Sequence, residues 1–259
     1  MNHDPKALLE EALAAARLAF THATQTMSRA ERTETIGLGG DGTPTYRLDV
    51  VVEAPVLDVL ERAGVNVLSE EIGWIDRGSG TTVVIDPLDG TANAAAGVPL
   101  SCFSAAVVRE STVIAAITHW FEGSRTWRAV QGEIRPRGVS DRRELTGAAV
   151  AMLRPRPETT LAWNRVAARA DRVRILGSSV LEACLVADGA VDAFCDAGGD
   201  VHRIVDLAAV DLVVHNAGGC LRDVHGRPLN FAPDLRQRWS GVVAATPQLA
   251  DEIITAIRG

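Results

Sequence analysis

Apolar positions fall along this chain in two rhythms, one helical and one alternating, and their order predicts the fold. Leu8, Leu9, Ala12, Leu13, Ala16 and Phe20 recur at helical spacing behind Asp4 and Pro5, a cap and a first-turn proline. The chain therefore opens on an amphipathic helix. Residues 34–45 are Gly-rich and read as a loop, while residues 46–50 are strand-like or lead into a helix and carry Asp49. A second helix is expected over 51–63 and a short strand over 65–68, which delivers Ser69, Glu70 and Glu71. β-Branched residues at 82–85 give another strand. Three closely spaced runs, 102–108, 113–120 and 126–130, predict antiparallel pairing.

From residue 148 the rhythm changes to strand and helix in turn. Strands are expected at 148–153, 173–176, 191–195, 220–224 and 241–246. Helices are expected at 159–170, at 178–187 with Ser178 as cap, at 205–215 with Gly218 just beyond, and at 248–257. The fold class is thus α/β, with an N-terminal α+β half over 1–145 and a C-terminal α/β half over 146–259. No repeat or low-complexity linker separates the halves, so they are expected to pack closely.

The densest chemistry lies at 81–99, TTVVIDPLDGTANAAAGVP. A β run passes directly into Asp86, Pro87, Leu88, Asp89, Gly90 and Thr91. Pro87 fixes its own φ and Gly90 accepts backbone angles that other residues resist, so two carboxylates three residues apart can converge on one point. Mg²⁺ takes one or two carboxylates together with substrate phosphate oxygens, and the Leu88 carbonyl is a further oxygen between the two acids. Gly90 and Thr91 open a helix, whose N–H groups favour an anion. Asp-Pro and Asp-Gly also mark ordinary turns, so on these residues alone turn and metal site stand level.

Composition narrows the classes. At 259 residues the chain can bury a sizeable core, as one large or two compact domains. A net charge of -7, with arginines scattered among acids, argues against a nucleic-acid partner. Glu10 and Glu11 fall where a signal peptide would be apolar, and no run is long enough to span a membrane; a soluble, cytoplasmic protein without a membrane partner is expected. Cys102, Cys184, Cys195 and Cys220 lie apart in apolar runs, which predicts buried reduced thiols and no zinc site.

Four acidic pieces remain: Asp49, the pair Glu70-Glu71, Asp86 with Asp89, and Asp206. Singly they read as a surface charge, a solvated loop and an acid near a helix N-terminus. Their neighbours are SEEIG at 69–73, DPLDGT at 86–91, LGSSVLEA at 176–183 and VDLAAVDLVVHNAGG at 205–219. Together these resemble the inositol monophosphatase and fructose-1,6-bisphosphatase superfamily of Mg²⁺-dependent, lithium-sensitive sugar phosphatases, over nearly the whole chain. The resemblance implies a layered α/β/α/β/α sandwich, a cleft between the halves, a homodimer and two or three Mg²⁺ ions. Glu70, Asp86, the Leu88 carbonyl, Asp89 and Asp206 would hold the metals. Glu70 and Thr91 would orient and deprotonate the attacking water, with Asp49 accepting a hydrogen bond from the Thr91 hydroxyl. Asp89 and the N–H groups of Gly90 and Thr91 would meet the phosphate, which is displaced in line without a covalent phosphoenzyme.

Departures from the pattern bear on the substrate. Val205 replaces the usual Trp and Ile72 the usual Ser, and with GDGTPT at 40–45 these variants look most like the archaeal-type branch that has both activities. In that branch Arg174 and Ser179 would sit near the substrate. Its further arginine has no clean counterpart, because AGGD lengthens the segment 196–203; Arg203 or His202 is the candidate. The expected substrate is a small phosphorylated polyol or sugar. The alternatives are a specialised-pathway sugar phosphate, a nucleotide bisphosphate, or a non-catalytic relative that binds a metal or ligand and regulates a partner, for which Thr91 would be needless.

Overall fold

The computed structural model describes residues 3–133, 136 and 138–259. In chain order the elements are α1 (Pro5–Thr26), α2 (Arg29–Arg32), β1 (Thr35–Leu38), β2 (Pro44–Tyr46), α3 (Arg47–Arg62), β3 (Asn66–Ser69), β4 (Gly73–Ile75), β5 (Thr81–Asp89), α4 (Thr91–Ala96), β6 (Cys102–Arg109), β7 (Thr112–Trp120) and β8 (Arg125–Val130). There follow β9 (Ala149–Met152), α5 (Thr160–Ala167), β10 (Arg172–Arg174), α6 (Ser179–Ala187), β11 (Ala193–Cys195), α7 (Ile204–Asn216), β12 (Cys220–Asp223), β13 (Gly241–Ala244) and α8 (Pro247–Arg258).

Two sheets carry the fold. A six-stranded sheet runs in the order β4-β3-β5-β6-β7-β8, antiparallel except for the β3/β5 pair. A five-stranded sheet runs β10-β9-β11-β13-β12, parallel across its first three strands and antiparallel thereafter.

Alternation along each strand decides what covers each face, because successive side chains point to opposite sides. Val83 and Ile85 of β5, with Phe103, Ala105 and Val107 of β6, meet Leu9, Leu13, Ala16, Val52 and Val56 of α1 and α3. Val84, Ala106 and Val108, from the intervening positions, face α6 and α7. Those two helices also receive Phe194 and Val243 of the second sheet. The opposite parity, Val150, Met152, Cys195, Val242 and Ala244, packs on Leu249 and Ile253 of α8 and Val166 of α5. The result is the α/β/α/β/α stack. Its middle helices have no exposed stripe to spare: Ile204 to Val210 and Leu212 to Val214 are all buried in α7.

The expected N-terminal helix is present, and Asp4 accepts from Lys6 N–H at 3.1 Å as its cap. Three local expectations are corrected. Residues 34–45, read as a loop, supply β1 and most of β2, a hairpin whose first strand is exposed throughout. Its alternation, Ile36 and Leu38, is only two residues long and reaches no buried face. The helix expected from 51 begins at Arg47, which puts Asp49 in its first turn. Ser178 does not cap α6 with its side chain; its hydroxyl donates to Asp89 instead.

Because α6 is shared by both sheets, Leu181→Ala is expected to cost about 2–5 kcal/mol, whereas Leu161→Ala, at an exposed position, should stay within about 0.5 kcal/mol of the parent. Urea denaturation followed by circular dichroism measures both.

Candidate active site

The acids meet where β3, β5 and α7 approach one another. Between Asp86 and Asp89 the β5/β6 pairing slips: Asp86 lies opposite Ser104 and Asp89 opposite Cys102. Three steps on one strand match two on the other, so a bulge turns two carboxylates that would face opposite sides toward the same one. Asp86 Oδ1 accepts from Leu88 N–H at 3.0 Å, while its Oδ2 is buried with no hydrogen-bond partner among the described residues. Asp89 Oδ2 accepts from Ser178 Oγ and, at 3.0 Å, from Val180 N–H, which anchors the first sheet to the start of α6. Gly90 takes φ +83°, and a Cβ there would meet Leu100 O at 2.8 Å and Ser178 Cβ at 2.9 Å, so only glycine serves.

Asp49 and Asp206 are held by one device used twice. Each sits in the first turn of its helix and accepts from the backbone N–H three residues earlier, Tyr46 at 2.9 Å and Arg203 at 2.6 Å. Glu70 follows β3 on a turn that Glu53 of α3 steadies, accepting from Ser69 Oγ and from Ile72 N–H at 3.2 Å. Carboxylate oxygens of Glu70, Asp86 and Asp206 all lie within 4.8 Å of one another. Asp89 is not in this group but adds its field to it. Thr91 Oγ1 donates to the Leu88 carbonyl at 2.8 Å, and the Asp49 carboxyl is within its hydrogen-bonding reach.

Burial outweighs every other influence on these groups. It pushes Asp49 up to about 7, against the pull of the nearby Thr91 hydroxyl and the hydrogen bond from Tyr46, and Asp89 up to about 6, against that from Ser178. Asp86 is raised well above the ordinary carboxylate range by burial and then by Glu70, Asp89 and Asp206, and Glu70 is raised by burial despite Arg203. Glu71, bonded to Thr45, is pushed up to about 8 by burial. Acids so placed need protons or a cation. A hard divalent ion fits the cluster: three convergent carboxylates and an orphaned oxygen on Asp86 are the oxygen donors such an ion takes.

One cation is already supplied by the chain. Arg203 forks onto Asp206 at 3.3 Å, reaches Glu70, and meets Asp41 Oδ2 at 2.8 Å. Asp41, in the turn between β1 and β2, also pairs with Arg238 at 3.4 Å and is almost wholly buried. Arg203 is thus directed into the acids and away from any open subsite. His202, the other candidate for substrate contact, is buried; its backbone pairs with Trp239 and its Nδ1 accepts from Gly241 N–H at 3.1 Å. The lengthened 196–203 segment folds over Ser240, whose hydroxyl donates to Asp196 at 2.8 Å and accepts from Asp200 N–H at 2.8 Å.

Beside Asp89 opens a cleft of about 240 Å³, lined by Gly177, Ser179, Asp196, Val201, Ile175 and Arg156 among others. Arg174 does not line it, and its buried Nη1 lacks a partner among the described residues. A larger hollow of about 460 Å³, around Arg143, His215 and Gln248, holds none of the clustered acids. The sequence marks neither Asp41 nor Glu53 as part of the site, and both join it through contacts distant in the chain.

A buried acidic centre at strand and helix ends of an α/β/α/β/α stack is the framework of a metal-dependent phosphatase. The inositol monophosphatase family model matches residues 4–259. The chain is 32% identical over 245 residues, 91% of this chain and 92% of the other, to a fructose-1,6-bisphosphatase/inositol-1-monophosphatase of Archaeoglobus fulgidus. It is 33% identical to the similarly named protein of Methanothermobacter thermautotrophicus, over 86% of this chain and 87% of that one. Among solved structures, the MJ0109 gene product, titled inositol monophosphatase-fructose 1,6 bisphosphatase, superposes with a TM-score of 0.86 at 28% identity, covering 95% of this chain and 98% of that one. The chain belongs to the inositol monophosphatase family, a family of phosphoric monoester hydrolases.

A pH prediction follows from Asp49 and Glu71. Folded, they keep protons up to about 7 and about 8, far above the values of 3.8 and 4.5 for free side chains, so the folded state binds more protons in that interval. Their contribution to stability is complete at low pH and is lost as pH rises through 7 and 8. The metal-free protein should therefore melt lower at pH 8.5 than at pH 6, and millimolar Mg²⁺ should narrow the gap; differential scanning fluorimetry across pH reads both.

Proposed function

We propose that this phosphatase hydrolyses the phosphate monoester of a small polyol or sugar, using Mg²⁺ held by Glu70, Asp86, Asp89, Asp206 and the Leu88 carbonyl. The observation that carries this reading is the cluster of Glu70, Asp86 and Asp206 around the unpartnered Asp86 Oδ2, next to a cleft of sugar scale. At about 240 Å³ the cleft falls below the about 300–1,000 Å³ typical of pockets for drug-sized ligands, which favours a small alcohol. When bound, Mg²⁺ polarises the phosphate and acidifies the attacking water.

The side chains do the rest. Glu70 and Thr91 would orient that water; Thr91 Oγ1 would take its proton while handing its own hydroxyl proton to Asp49, and the hydroxide would bond to phosphorus as the ester P–O bond breaks and the alcohol leaves with a proton from solvent. Asp49 suits this task because its affinity for a proton is already raised to near neutrality. Thr91 must first turn from the Leu88 carbonyl, which leaves that oxygen open to a metal. Arg203 holds the same Glu70 carboxylate that a metal would require, so it shares the cluster's charge. Gly90 and Thr91 offer N–H groups to the phosphate at the start of α4, and Ser179 faces the alcohol.

Phosphate release with and without Mg²⁺, across inositol monophosphates, sugar phosphates and nucleotide bisphosphates, tests the reading. Activity that vanishes with chelator and favours a polyol or sugar phosphate is expected; no release from any compound would sink it. Asp89→Asn should lower turnover by more than the about 10–100-fold that loss of an outer metal partner costs. It should nonetheless fold, since the amide oxygen still accepts from Ser178 and Val180. Near-parental activity of this variant would remove Asp89 from the metal set. Lithium is expected to inhibit by taking one Mg²⁺ position, and indifference to it would point to an altered second metal site.

A further inference from the structure

We propose that Arg203 is a counter-cation built into the chain, which competes with a metal ion for Glu70 and Asp206 and so sets the affinity of the acidic cluster for metal, with Asp41 as the acid that keeps the guanidinium once it is displaced. The inference rests on the assignment of Glu70 and Asp206 as metal ligands and concerns how tightly that same site loads.

The guanidinium holds the lone pairs that a metal would use. Nε and Nη2 reach Oδ2 and Oδ1 of Asp206, each at 3.3 Å, and Nη1 donates to Oε1 of Glu70. One side chain thus binds two of the three acids whose oxygens lie within 4.8 Å of one another, and it is itself only 15% exposed. Arginine stays ionised at any working pH, so it cannot shed a proton to make room for a second cation. Its planar fork meets a carboxylate at two points, and loading requires that fork to turn away.

Asp41 gives it a place to turn. Nη1 also donates to Asp41 Oδ2 at 2.8 Å, and Asp41 stands outside the convergent group of three acids. The other Asp41 oxygen accepts from Thr43 N–H at 2.8 Å and from Thr43 Oγ1 at 2.6 Å. Burial works to raise this carboxyl, but the Thr43 bonds and the neighbouring Arg203 hold it below its ordinary value, so it is ionised at neutral pH. A buried guanidinium left without any acid is strongly destabilising, and one that keeps an acid is not. Asp41 therefore eases displacement, while the bonds to Glu70 and Asp206 oppose it.

The ligands do not need the Arg203 side chain for their aim. Asp206 Oδ2 also accepts from the Arg203 backbone N–H at 2.6 Å, and Glu53 steadies the turn that carries Glu70 through Ser69 and Ile72. The β1/β2 hairpin has ties of its own: Gly40 N–H donates to Glu70 O at 2.9 Å, and Thr45 Oγ1 donates to Glu71. Removing either member of the Arg203–Asp41 pair changes the competition and leaves the acids in place.

The test is calorimetric titration of Mg²⁺ into the metal-free protein at neutral pH, for the parent, Arg203→Gln, Asp41→Asn and the double variant. Arg203→Gln should bind Mg²⁺ about 10-fold or more tighter, and Asp41→Asn several-fold weaker, effects of the size that outer partners of a metal site command. In the double variant the Asp41 effect should vanish, because Asp41 acts through Arg203. Two effects that simply add would mean that each residue acts by its field alone, and would overturn the competition. Weaker binding in both single variants would mark a structural role and overturn it as well.

Arg203→Lys keeps the charge and loses the fork, so it too should bind Mg²⁺ more tightly than the parent. Parental affinity in this variant sinks the proposal, and it stands in for Arg203→Gln should that chain fail to fold. Asp86→Asn separates the proposal from the metal assignment. Mg²⁺ binding that Asp86→Asn abolishes and the Arg203 variants leave unchanged defeats the counter-cation alone. No Mg²⁺ binding to the parent or to Arg203→Gln defeats the metal assignment and the counter-cation together.

Discussion

Carboxylates gathered away from water repel one another and each loses its hydration; everything around this site answers that cost. Desolvation is the leading influence on Glu70, Asp86 and Asp89, and their mutual fields add to it. The protein meets part of the demand with backbone N–H donors at Asp86, Asp89 and Asp206, and part with the Arg203 guanidinium. What stays unmet, the Asp86 Oδ2 above all, is the part left for a ligand. A polar group without a partner is a defect in an ordinary core; at the floor of a reaction centre it is affinity held in reserve.

Rigid elements bring these groups together. A bulge in β5, the first turns of α3 and α7 and the turn after β3 each aim one acid, and bonds between elements lock the aim. Asn93 Nδ2 ties the start of α4 to the Leu176 carbonyl at 2.7 Å and to the Leu100 carbonyl at 2.9 Å. Gly40 and Gly73 meet backbone to backbone, where a Cβ on Gly40 would lie 2.5 Å from Gly73 Cα, so the β1/β2 hairpin can reach down far enough for Asp41 to join the cluster.

Much of this was legible in the residues. The strand-turn-helix of 81–99, the acids at 49, 70, 86, 89 and 206, and the change of rhythm near 148 all follow from short-range pattern, and the α/β/α/β/α stack has those elements in those places. The β1/β2 hairpin was not legible, because its first strand is exposed and the alternation of Ile36 and Leu38 is too short to mark a strand. Nor was the Arg203–Asp41 pair, which joins residues 162 positions apart and leaves no local trace. Ser178 shows how a correct local rule is overruled: a serine ahead of a helix reads as a cap, but a buried carboxylate competes for its hydroxyl and wins, since hydrogen bonds to charged acceptors are the stronger.

The placement of α6 and α7 between the sheets has a consequence for how the molecule is made. All strands of the six-stranded sheet have been synthesised once Val130 is added, yet the face bearing Val84, Ala106 and Val108 is covered by helices that begin only at Ser179 and Ile204. A nascent chain of this protein therefore carries a finished sheet with one greasy side for some seventy residues of synthesis, about 4–14 seconds at ordinary elongation rates. Until those helices are made, the chain holds nothing of its own to cover that side.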